Sequence, residues 1–106
     1  MPELRGLEPW DVARLLVAVG AYWSRHGCGP SWRQAARAAD WTWREQRDER
    51  GLHSDELAER MQVLRRAGLV TFTREPYSLD ATPAGRRWAL ATLACRESDQ
   101  GRGVPR

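Results

Sequence analysis

Four residues in this chain could ligate a metal or act as a nucleophile: His26, Cys28, His53 and Cys95. The H-x-C spacing at 26–28 fits no closed zinc pattern, and the other two lie far along the chain. Cys28 beside His26 has two parts of a thiol nucleophile. No third group is identifiable that would orient the base, and a cysteine in a glycine-rich turn is ordinarily structural. No glycine-rich phosphate loop is present. These residues therefore predict no metal, no cofactor and no catalysis, and 106 residues leave little room for a deep enzyme pocket. With two cysteines there is no disulfide framework, and reduced thiols in a cytoplasmic protein are the expectation.

The remaining chemistry is that of arginine and tryptophan. All 17 basic residues are Arg, against 14 acids, for a net charge of +3. Lys, Ile and Asn are absent, which reads first as a G/C-rich coding bias, so the position of each Arg carries more than their number. The balance permits nucleic-acid binding without requiring it. Arg33 and Arg37 stand four apart, on one side of any helix that holds them. The chain has 6 Trp. Trp23, Trp32 and Trp88 fit apolar stripes and Trp10 suits an anchor at a helix start. Trp41 and Trp43, two apart, cannot share a helix face. One of that pair is expected in the core and the other exposed, as a partner-binding hot spot or a base-stacking surface.

The elements that must position these residues follow from period and punctuation. The length is that of one domain, and no apolar run approaches the ~20 residues of a membrane span. The start, Met1-Pro2-Glu3-Leu4-Arg5, has no secretory pattern, and residues 1–8 read as a short polar lead. Pro9 suits the first turn of a helix over 9–26, with Val12, Leu15, Leu16, Val19, Tyr22 and Trp23 as its stripe and Gly27-Cys28-Gly29-Pro30 as its stop. Ser31-Trp32-Arg33-Gln34 is a capping box opening a helix over 31–40, with Trp32, Ala35, Ala36 and Ala39 inward. Residues 40–53 hold Trp41, Trp43, Arg44 and Arg47 in a charged run that could extend this helix or form another. Ser54 reads as the cap of a helix over 54–67, with Leu57, Met61 and Leu64 inward and Gly68 as its stop. Two alternating runs, 69–73 and 77–81, make a hairpin around Arg74-Glu75-Pro76. Thr82-Pro83 then opens a helix to about Cys95, with Ala84, Trp88, Ala91 and Cys95 on one face and Leu90 and Leu93 beside it. Residues 96–106 read as a disordered tail.

Three helices, a hairpin and a fourth helix, mainly α with a small β part (α+β), is the layout of a winged helix-turn-helix. Gly29-Pro30-Ser31-Trp32-Arg33-Gln34-Ala35-Ala36 resembles the start of helix two in LexA-type DNA-binding domains. Leu57, Met61 and Leu64 followed by Ala67-Gly68-Leu69-Val70 resemble a recognition helix running into its wing. Thr82-Pro83-Ala84-Gly85-Arg86-Arg87 is similar to the stretch after the wing in MarR-type regulators. The resemblance covers about residues 10–95 and departs from the LexA pattern in the insertion 40–53.

The resemblance implies a sequence-specific regulator that binds duplex DNA, as a homodimer joined through its first and last helices. Ser54, Asp55, Glu59 and Gln62 would face base edges. Arg33, Arg37, Arg44, Arg47, Arg60, Arg65 and the wing's Arg74 would meet phosphates, with Ser31 at the start of helix two. The acidic start of the third helix and the near balance of charge keep a second reading open. In it, the same fold is a protein-interaction module whose partner docks on Trp41 and Trp43 of the insertion.

Overall fold

Proline lacks an amide hydrogen, and the first turn of a helix is the one place where none is needed. Pro9 opens α1 (Pro9–His26) in this way, and Gly27, left-handed at φ 73°, closes it. A computed structural model describes residues 3–41 and 54–103, with side chains described within 3–41 and 57–95. Val12, Leu15, Leu16 and Val19 of α1 are fully buried, as their spacing predicts. α1 is the centre of the fold, packed against α2 (Trp32–Ala38), α4 (Pro83–Gly103) and β2 (Asp80–Ala81).

The capping box of α2 is present in both halves. Ser31 Oγ accepts the Gln34 N–H at 3.0 Å, and Gln34 Oε1 accepts the Ser31 N–H at 2.9 Å. Removing the hydroxyl with Ser31→Ala leaves an orphan helix donor and should lower stability by about 1 kcal/mol in a urea titration. An unchanged midpoint would show that water replaces the cap.

α2 ends earlier than the expected residue 40. Asp40 turns left-handed (φ 61°), its N–H donates to the Arg37 carbonyl at 3.0 Å, and the Trp41 N–H donates to the Ala36 carbonyl at 2.9 Å. This pair of bonds is a Schellman ending, in which the residue after the left-handed one folds back onto the helix. Trp41 is that residue, and it is carried into the core.

Leu57, Met61 and Leu64 form the buried face of α3 (Ser54–Arg66). α3 is described from Ser54 onward, and the residues before it, on which the expected Ser54 cap depends, lie outside the described residues. Leu69 and Gly68 repeat the Schellman ending, with N–H bonds to Leu64 and Arg65, both at 3.0 Å. β1 (Val70–Thr71) then pairs antiparallel with β2, Val70 opposite Ala81 and Thr71 opposite Asp80.

These strands are shorter than the expected 69–73 and 77–81, because the tip bonds elsewhere. The Gly29 N–H donates to the Tyr77 carbonyl at 3.0 Å, and Trp23 Nε1 donates to the Leu79 carbonyl at 2.7 Å. Phe72 turns inward, its ring edge-on to Trp32 at 5.1 Å. Thr73 and Ser78 are joined through the Ser78 hydroxyl, which accepts the Thr73 N–H at 2.9 Å.

α4 is anchored by Thr82, whose hydroxyl accepts the Gly85 N–H at 2.8 Å and donates to the Gly68 carbonyl at 2.7 Å. Gly85 lies so close to Leu69 that a Cβ there would collide with the Leu69 carbonyl group. That contact sets the rotation of α4. Gly85 and Ala89 face inward, with Trp88 and Leu93 packed against the core. The expected face is therefore corrected: Ala84, Ala91 and Cys95 are exposed, and so is Leu90 at 64%. The helix also continues to Gly103, through residues 96–103 that composition marked as disordered; no Pro or Gly interrupts 96–100 to stop it.

The polar lead is likewise corrected, since Leu4 is buried and Leu7 packs on the core. The described residues are mainly helical, with one two-stranded antiparallel sheet among them. Among the described residues no helix is long and apolar enough to cross a membrane.

Candidate nucleic-acid interface

The outer side of α3 is bordered by two clefts. The first opens between the N-terminus of α2, α3 and the hairpin, and Ser31, Gln62, Arg65, Arg74 and Tyr77 line it over an aromatic floor of Trp32 and Phe72. Ser31 is held there by its capping bonds. The Arg65 guanidinium lies over the Phe72 ring, 4.8 Å from its centroid, which fixes the cation at the cleft wall without consuming its charge. Arg74 is exposed at the tip. Tyr77 is 59% exposed and holds a positive φ of 64°, while its carbonyl is tied to Gly29.

The second cleft lies on the other flank of α3, where Arg5, Gly6 and Leu7 face Ala58, Glu59, Arg60, Gln62, Val63 and Arg66. Gln62 borders both clefts and so stands on the crest between them. The Arg60 guanidinium lies 5.9 Å from the centroid of the Trp41 ring.

Four of the residues singled out from sequence thus meet at the first cleft: Ser31, Gln62, Arg65 and Arg74. Glu59 and Arg60 go to the second. Arg33 and Arg37 are exposed on α2 and line neither. Ser54 and Asp55 lie in the first turn of α3, with their side chains outside the described residues. Arg44, Arg47, Trp43 and His53 also lie outside the described residues.

Trp41 is the core member of the Trp41/Trp43 pair. It is 8% exposed, and its indole N–H donates to the Asp11 carbonyl at 3.0 Å. Burial with a satisfied polar edge is the state of a core indole. The interaction-module reading loses one of its two tryptophans by this finding.

Sequence reasoning passed over Tyr77 and Arg5. The alternation of 77–81 places Tyr77 in a strand and hides a turn residue. The polar composition of 1–8 hides Arg5, although Leu4 and Leu7 around it are spaced to pin a turn. Cys28 is half-buried and Cys95 exposed, both as free thiols. Among the described residues no three His, Cys, Asp or Glu side chains cluster closely enough to hold a metal.

What the arrangement offers chemically is a helix crest with an amide at its centre and a guanidinium on each side. Comparison of the chain with protein-family models, with curated proteins and with solved structures finds no match, so the site stands on its own geometry.

Proposed function

We propose that this chain is a winged helix-turn-helix protein that binds duplex DNA as a transcriptional regulator, with α3 in the major groove and the hairpin along the adjacent backbone. The carrying observation is that Arg65 of α3 and Arg74 of the hairpin, from two different elements, line one open cleft with Gln62 beside them. A recognition helix needs polar crest residues for base edges and cations at its margins for phosphates. Gln62 has the amide that pairs with adenine, and Glu59 is an acceptor suited to the cytosine amino group. The exposed arginines of α2, Arg33 and Arg37, suit a helix that crosses the backbone.

The reading is tested by fluorescence anisotropy with a random-sequence duplex. The protein should bind at about 50 mM salt and weaken steeply as salt rises, because each phosphate contact releases counterions. Arg65→Ala with Arg74→Ala should weaken binding several-fold and lower the log–log salt slope by about 0.9 for each contact removed. No binding at low salt would sink the proposal.

A further inference from the structure

The turn before α1 is built to hold a cation in an unusual place. Leu4 and Leu7 are anchored in and against the core. Between them Arg5 and Gly6 both have positive φ, 51° and 90°, and the Leu7 N–H closes the turn on the Leu4 carbonyl at 3.0 Å. Positive φ at both central positions is the mark of a type I′ turn, where glycine is at ease and a residue with a Cβ is not. The strained residue is the arginine. It lines the cleft on the flank of α3 that faces away from the hairpin, together with Arg66. The same two arginines line a smaller adjoining hollow with Glu3, Val63 and Ala67. Both are exposed, and among the described residues no ion pair joins either to an acid.

Helical geometry places Arg65 and Arg66 about 100° apart around α3. Arg65 lines the hairpin cleft, Arg66 lines the other, and Gln62 borders both. A helix about 10–12 Å across lying in a groove about 12 Å wide has a phosphate strand along each flank. Cations on one flank alone would meet only one strand.

We propose that the cleft between the Leu4–Leu7 turn and α3 is a second phosphate-binding site, where Arg5 and Arg66 hold the DNA strand opposite the one met by Arg65 and Arg74. Two guanidiniums presenting their N–H groups to one cleft suit the oxygens of a phosphodiester. The inference rests on the duplex-binding reading above and extends it to the second strand.

The test is a salt series of anisotropy titrations with a random-sequence duplex, using the full chain and the variants Arg5→Gly and Arg66→Gln. Arg5→Gly removes the cation while relaxing the positive φ, so a thermal melt should show the fold kept. Each variant is expected to weaken binding several-fold and to lower the salt slope by about 0.9, additively with the loss from Arg65→Ala/Arg74→Ala. If Arg66→Gln melts early, Arg5→Gly decides the matter alone. Wild-type affinity and slope in Arg5→Gly, while Arg65→Ala/Arg74→Ala loses both, would overturn the second site and leave the first standing. A wild-type chain that binds no duplex overturns both.

Discussion

Gly85→Ala is expected to destabilise this protein by about 3 kcal/mol, at the upper end of the usual cost of overpacking. The added methyl would meet the carbonyl oxygen, carbonyl carbon and Cα of Leu69, all backbone atoms. Backbone cannot swing aside as a long side chain can. Relief requires α4 to move off the start of β1, and that motion breaks the Thr82 bonds to Gly68 and Gly85. A domain of this size is commonly stable by only about 5–15 kcal/mol, so the loss takes a large fraction. Gly20→Ala is the matched control. Gly20 lies inside α1 with open space where its Cβ would be. The same substitution there should stabilise by about 0.5–1 kcal/mol through helix propensity. Urea titration of both variants gives the two signs directly. Equal midpoints for Gly85→Ala and wild type would show that α4 does not press on Leu69.

Trp41→Ala should cost about 3–5 kcal/mol, the range for deleting a large buried aromatic side chain. Trp41 follows the left-handed residue that ends α2 and packs its ring into the core beside α1, where the Asp11 carbonyl receives its N–H. Truncation leaves a cavity and removes the second donor to the Asp11 carbonyl, a group that already lies within the α1 ladder. Trp41→Phe keeps most of the apolar volume and loses the hydrogen bond, so its cost should be nearer 1–2 kcal/mol. The order wild type, Phe, Ala in denaturant midpoint is the expected result. A surface indole would give three equal midpoints, and that outcome would return Trp41 to the candidate contact residues.

What was legible in the sequence was mostly local. Pro9, Gly27, the Ser31–Gln34 box and Gly68 are signals acting within one turn of chain, and the bounds of α1 follow from them. The buried faces of α1 and α3 follow from period alone. The features that escaped depend on groups distant in sequence. The strand lengths are set by Gly29 and Trp23, which take the Tyr77 and Leu79 carbonyls across 48 and 56 residues. The rotation of α4 is set by one close approach to Leu69, where the stripe Ala84, Trp88, Ala91 and Cys95 fitted a helical period equally well. Asp40 ends α2 in a conformation for which glycine is the usual sign, so the inward turn of Trp41 carried no flag.

The candidate site divides in the same way. Ser31, Gln62, Arg65 and Arg74 converge because element order alone brings α2, α3 and the hairpin together. Glu59 and Arg60 part from them because helical rotation carries those positions to the other flank. Arg5 was missed because its placement rests on a turn whose anchors, Leu4 and Leu7, are read as part of the fold only once the core is seen.

The tether between the hairpin and the α1–α2 loop has a thermodynamic consequence for anything that docks against the tip. A free hairpin tip samples many shapes and loses that entropy when a ligand orders it. Here the Gly29–Tyr77 and Trp23–Leu79 bonds, with the Thr73–Ser78 rung, restrain the tip in the folded protein. The ordering cost falls on folding, and little of it is left to oppose association. A ligand docking on the tip would therefore meet a pre-organised surface, with little capacity to mould itself around a poor fit.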